Sequence, residues 1–189
     1  RVFTEAGDSA PVTVLVRGAV EYPGQTCSAA SRAYVPRSLW TAGVRDELAA
    51  GTYSLTYGDV TDFTNFGGAV IDRRAFDRLC GVQKRLRDVP SARVIAGGTS
   101  EDTVGYFVRP TVVESSDPTH DVFKQEYFGP LLAVHVYDDA DWRATLTQLE
   151  SVSPYALTGA VFARERAAVL EASQVLRFAA GDLDRKGTR

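Results

Sequence analysis

Short apolar runs that alternate with helical periodicities constrain this chain more than any other feature. The clearest run is Leu131–Tyr137, in which six of seven residues are apolar or aromatic, and it reads as a strand. Val2–Thr4 reads as the end of a strand, and Ala33–Val35, Arg93–Ala96, Phe107–Glu114 and Leu157–Ala163 as others. Between them lie helices. Residues 11–21 would set Val12, Leu15, Val16 and Ala19 on one face, with Pro11 in the first turn, where its missing N–H costs nothing. Ser38 can cap a helix carrying Trp40, Val44 and Leu48 at four-residue intervals. Residues 72–87 place Phe76, Leu79 and Leu86 on one side and arginines on the other. Trp142, Leu146 and Leu149 define another amphipathic helix, and Ala168, Ala172 and Val175 align on a last one over residues 164–179. Gly58–Gly68 is rich in Gly, Asp, Asn and Thr and reads as a loop. Strands alternating with helices predict an α/β fold with a largely parallel sheet. The polar, charged Gly181–Arg189 offers no core to join and is expected to fray.

At 189 residues, 44% hydrophobic and 24% charged, the chain can bury a core without disulfides or metal. No stretch approaches the roughly 18 apolar residues of a membrane helix, and the opening RVFTEAGD is not a signal peptide. A formal charge of −3 with interspersed signs gives no electrostatic footprint for nucleic acid. Two cysteines, Cys27 and Cys80, form no disulfide framework, and no Cys/His cluster has metal-ligand spacing. A soluble domain acting on small molecules or proteins in a reducing compartment is expected. Only Lys84, Lys124 and Lys186 are lysines among 21 basic residues, a bias that hints at a bacterial source. The chain starts at Arg1 and contains no methionine, so it is expected to be part of a longer protein.

Cys27 is the foremost candidate for chemistry. It follows a Gly-Gln-Thr loop and precedes Ser28-Ala29-Ala30-Ser31. Small neighbours let a carbonyl approach the sulfur, and successive backbone N–H groups can face a developing oxyanion. The same dipoles favour the thiolate. Cys80 sits among the apolar residues of a helix and reads as structural. His120 and His135 are isolated; a cysteine hydrolase would need one of them within hydrogen-bond reach of Cys27. Gly97-Gly98 is a turn, because no G-x-G-x-x-G pattern follows a strand.

Gly24-Gln25-Thr26-Cys27-Ser28, followed by Ser31-Arg32, resembles the nucleophile segment of the aldehyde dehydrogenase superfamily. Glu126-Tyr127-Phe128-Gly129-Pro130 resembles that superfamily's E-x-F-G-P motif, in the same order along the chain. Tyr34–Trp40, Gly68–Asp72, Val104–Val108 and Tyr155–Phe162 look like its 1-pyrroline-5-carboxylate dehydrogenase branch, a resemblance that runs to about Gly181.

The resemblance implies a three-layer α/β/α catalytic domain over residues 1–180, incomplete, with a polar tail over 181–189 and the NAD-binding domain outside the chain. It implies that Cys27 attacks the aldehyde, that Glu126 holds the nicotinamide ribose of NAD, that Phe128 packs beside that ring, and that Ser28 contacts the substrate. The parent would be a homo-oligomer oxidising glutamate γ-semialdehyde to glutamate in proline breakdown, in a bacterial cytoplasm or a mitochondrial matrix. No metal, membrane or nucleic acid is implied. One departure is Thr26, where this branch usually has lysine; threonine is common there in other aldehyde dehydrogenases. The family's glutamate base and oxyanion asparagine precede the span matched here, and its carboxylate-gripping loop follows it. A truncated, non-catalytic remnant is the alternative, as is a dehydrogenase for another aldehyde.

Overall fold

A computed structural model describes residues 2–4, 10–155 and 157–186. In chain order the elements are β1 (Val2–Thr4), α1 (Ala10–Val20), β2 (Arg32–Pro36), α2 (Arg37–Leu39), a π turn (Trp40–Val44) and α3 (Arg45–Tyr53). Then come α4 (Arg73–Arg87), β3 (Ala92–Ala96), β4 (Ser100–Glu101), β5 (Phe107–Val108), β6 (Thr111–Ser115), α5 (Asp121–Lys124) and β7 (Leu131–Tyr137). The last are α6 (Trp142–Ser151), β8 (Thr158–Ala163), α7 (Arg166–Val175) and β9 (Asp182–Lys186).

Seven strands form one sheet in the order β3-β6-β7-β2-β1-β8-β9, and only the β3–β6 pairing is antiparallel. The period-2 alternation of β7 shows why it must be central. Leu132 and Val134 join Val12, Leu15 and Val16 of α1 and Leu48 of α3 on one face. Leu131, Ala133 and Tyr137 join Val82 and Leu86 of α4 and Phe123 of α5 on the other. Each such fully buried Leu or Val contributes about 2 kcal/mol. Helices therefore cover both faces, giving the expected α/β/α layers with a mostly parallel sheet. No helix among the described residues is long and apolar enough to cross a membrane.

The helical faces read from the sequence are buried as expected in α1, α3 and α4. Four expectations need correction. Ser38 does not cap a helix: helical geometry starts at Arg37, and Asp139 from the β7–α6 connection accepts from the Ser38 N–H at 3.1 Å and from its hydroxyl. Phe107–Glu114 is not one strand, because Pro110 divides it; β5 pairs with β4 in a separate hairpin while β6 enters the main sheet. On α7 the buried line runs from Ala172 to Leu176, and Val175 faces outward. Asp182–Lys186 of the tail, expected to fray, is an edge strand whose backbone pairs with β8 while Leu183 packs against Val161 and Leu176.

Candidate active site

Three segments enter parallel strands at the same edge of the sheet: residues 21–31 lead into β2, residues 125–130 into β7, and residue 157 directly into β8. The first two touch backbone to backbone. Gly24 has φ +64°, and a Cβ there would lie 2.4 Å from the Gly129 carbonyl oxygen, so only glycine allows the contact. Gln25 reinforces it. Its side-chain amide donates to the Phe128 carbonyl at 3.2 Å and accepts from the Ile71 N–H at 2.8 Å.

Phe128 itself has φ +52°, a left-handed conformation that costs a bulky residue roughly 1–2 kcal/mol. Its N–H donates to Glu126 Oε1 at 2.9 Å, and the carbonyl before it, that of Tyr127, accepts from Arg78 of α4 at 2.9 Å. Hydrogen bonds with three side chains, Gln25, Arg78 and the loop's own Glu126, thus hold the loop in a shape its own dihedrals do not favour.

Cys27 is exposed and lines an open depression of about 410 Å³ with Arg32, Phe123, Glu126, Phe128 and Tyr155. The structure therefore brings together three of the residues singled out by sequence. Ser28 stands apart: it lines an adjoining depression of about 440 Å³ that shares Ala29, Ser31, Arg32 and Thr158 with the first. Arg32 ties the walls by donating to the Phe123 carbonyl at 3.3 Å and the Tyr155 carbonyl at 3.2 Å. Burial lowers its pKa, opposed by the fields of Tyr34 and Glu126.

The Ala29 N–H is used within the loop by Thr26 O at 3.1 Å, and that of Ala30 by Gly18 O at 2.7 Å. Among the described residues the Cys27 and Ser28 N–H groups have no acceptor. An exposed thiol flanked by open backbone donors suits addition to a small carbonyl compound. Hydrolase chemistry lacks its base. His120 Nδ1 accepts from the Val122 N–H at 3.1 Å, and His135 Nδ1 lies 3.1 Å from Ser115 O, edge-on to Tyr34 and Phe123. Neither lines the cysteine depression. Cys80 is half-buried on α4 against the Ser100 hydroxyl, consistent with a structural part. No group of three or more His, Cys, Asp or Glu suited to a metal occurs among the described residues.

Sequence alone gives Gln25 no role, although it stands inside the nucleophile segment. Its partners, Ile71 and Phe128, are 46 and 103 residues away.

A sequence model of the aldehyde dehydrogenase family matches residues 1–183, and the chain belongs to that family. Within the family it is similar to one branch in particular. It is 43% identical over 182 residues to the mitochondrial delta-1-pyrroline-5-carboxylate dehydrogenase of Homo sapiens, covering 96% of this chain and 32% of that protein. The Danio rerio enzyme of the same name is 44% identical over 172 residues, 90% of this chain and 31% of that protein. The crystal structure of the delta-pyrroline-5-carboxylate dehydrogenase from Mycobacterium tuberculosis superposes with a TM-score of 0.89 at 45% identity, over 100% of this chain and 34% of that one. The same enzyme has also been solved bound with NAD. The chain spans about a third of the length of the relatives it matches.

Proposed function

We propose that this chain is the cysteine-bearing part of a longer, homo-oligomeric NAD-dependent dehydrogenase. That enzyme oxidises L-glutamate γ-semialdehyde, in equilibrium with 1-pyrroline-5-carboxylate, to L-glutamate in proline catabolism. The observation that carries the reading is the shared depression in which exposed Cys27 stands with Glu126 and Phe128. The similarity of over 40% to enzymes named for this substrate supports it.

In this reading the Cys27 thiolate adds to the aldehyde carbon, and the Cys27 and Ser28 N–H groups receive the oxyanion of the thiohemiacetal. When bound, NAD would supply the hydride acceptor that turns the Cys27 thiohemiacetal into a thioester. Water then releases the carboxylic acid and returns the thiol. Glu126 and Phe128 fit the nicotinamide half of such a cofactor. Phe128 is 39% exposed, and Glu126 is an exposed residue with one carboxylate oxygen tied to its own loop. Pyrophosphate and adenine would be held by the rest of the parent, as would the water-activating base. Ser28, one depression away, would meet the amino-acid end of the substrate. The setting would be a bacterial cytoplasm or, as for the vertebrate relatives named mitochondrial, the mitochondrial matrix.

The test is a segment exchange, with residues 1–180 of this chain replacing the matching third of the Mycobacterium tuberculosis enzyme. The folded hybrid is expected to reduce NAD with glutamate semialdehyde, while the isolated 189-residue chain is expected not to. A folded hybrid without turnover would sink the substrate reading, and turnover by the isolated chain would sink the claim that the rest of the parent is needed.

A further inference from the structure

We infer that Gln25 is a positioning residue that sets Phe128 relative to Cys27. The inference rests on the aldehyde-oxidising reading only for its consequence; its geometry stands alone. Three segments meet at this one side chain: the cysteine loop that carries it, the Glu126–Phe128 loop, and the approach to α4. From Phe128 it takes the carbonyl as acceptor, and from Ile71 the N–H as donor. Ile71 is followed by Asp72, whose carboxylate caps α4 by accepting from the Ala75 N–H at 2.8 Å.

The amide can be satisfied in only one orientation. Reversing it would set Nε2–H against the Ile71 N–H and Oε1 against the Phe128 carbonyl, two repulsive contacts in place of two bonds. The Phe128 residue is then held on both sides, its N–H by Glu126 and its carbonyl by Gln25. A residue at φ +52° persists only where its surroundings over-determine it. The Gln25 amide supplies that restraint from the same loop that presents the nucleophile two residues later. Moving the thiol and moving the aromatic ring thus become one motion. Hydride transfer depends on such relative placement, and a displacement near 1 Å can cost about a hundredfold.

Two variants separate the bonds. Gln25→Met removes both. Gln25→Glu retains an acceptor for the Ile71 N–H but removes the donor to the Phe128 carbonyl. In the 189-residue chain labelled with 4-fluorophenylalanine, the Phe128 fluorine resonance is assigned by its loss in Phe128→Leu. It is expected to shift or broaden in both variants while the core phenylalanines keep theirs. Amide exchange at Ile71 is expected to accelerate at least about tenfold in Gln25→Met and to stay near the parent rate in Gln25→Glu. In the hybrid enzyme both variants should lose at least about tenfold in kcat, with the KM for the aldehyde within about twofold. An unmoved Phe128 resonance in both variants overturns the inference, as does unchanged kcat in an active hybrid. A hybrid inactive even with Gln25 intact counts against the proposed reaction, and the fluorine spectrum then decides the role of Gln25 independently.

Discussion

Where the chain leaves β2 and β7, it runs almost at once into helices. Where it enters those strands, it first passes through loops tied to one another. At the leaving end Arg37 pairs with Asp138 at 2.5 Å, and Asp139 caps the helix that starts beside it, so the neighbouring connections satisfy each other. At the entering end Gly24 abuts Gly129, Gln25 grips Phe128 and Ile71, and Arg32 spans Phe123 and Tyr155. The first arrangement closes two strands off. The second holds an exposed thiol in an open depression. Open α/β sheets commonly bind ligands beyond the carboxyl ends of their strands. Here the candidate chemistry sits at the amino ends, so the precision has to come from loop-to-loop contacts.

The sharpest way to break that contrast is to remove the thiol. In the hybrid enzyme Cys27→Ser should lose aldehyde oxidation by at least about a thousandfold, near 4 kcal/mol of barrier, while Cys80→Ser keeps it within about twofold. Steady-state NADH formation checks both. Next in size is Gly24→Ala. The added methyl would meet backbone at 2.4 Å in a left-handed conformation, and a loss of about 3 kcal/mol is expected, lowering the thermal midpoint by roughly 6–12 °C. Gly51→Ala is the control. Its methyl meets only Val16 Cγ2 at 3.4 Å, so helix propensity should make it neutral or slightly stabilising. If Gly24→Ala unfolds no earlier than Gly51→Ala, the two loops are not packed as described.

At the leaving end, Asp139→Ala removes a cap and should cost only about 0.5–1 kcal/mol because the site is exposed, without slowing alkylation of Cys27 by iodoacetamide. A slowed alkylation would show that the two ends are coupled.

A smaller effect separates a buried histidine from a catalytic one. Burial lowers the pKa of His135, outweighing the bond to Ser115 and the field of Asp117. The folded state therefore holds it neutral, and the unfolded chain takes the proton first as pH falls. Stability from this group is complete above about pH 6.5 and declines as the pH drops toward the lowered folded value. His135→Asn, which can still donate to Ser115 O, should flatten the fall in thermal midpoint as the pH drops below about 6.5. A slope unchanged by the substitution would assign it to other groups. Smallest is Tyr34→Phe. The Tyr34 hydroxyl is buried and has no hydrogen-bond partner among the described residues, and burial pushes its pKa up to about 12. Deleting it should leave stability unchanged or raise it by up to about 1 kcal/mol. A loss of that size would reveal a partner for the hydroxyl.

The contrast also explains what could be read from sequence. Leu131–Tyr137 and residues 72–87 announce themselves because burial imposes a period on them, and both fall within a residue of the observed elements. Cys27, Glu126 and Phe128 were found through the two motifs that carry them, and the fold brings those motifs to one depression. Features made by distant partners left no such trace. Ser38 looks like a cap, yet Asp139, 101 residues on, supplies the cap. Asp182–Lys186 has one apolar residue, so its backbone pairing at the sheet edge has no hydrophobic pattern to reveal it. Gln25 is one polar residue in a loop until Ile71 and Phe128 arrive beside it. Ser28 adjoins Cys27 in sequence, yet it lines a different depression.

The most direct measurement is peptide mass spectrometry of the hybrid enzyme quenched during turnover of glutamate semialdehyde with NAD. A glutamyl thioester on Cys27, absent from Cys80 and absent when NAD is withheld, is the predicted result. Sustained turnover with Cys27 unmodified, or undiminished in Cys27→Ser, would contradict it.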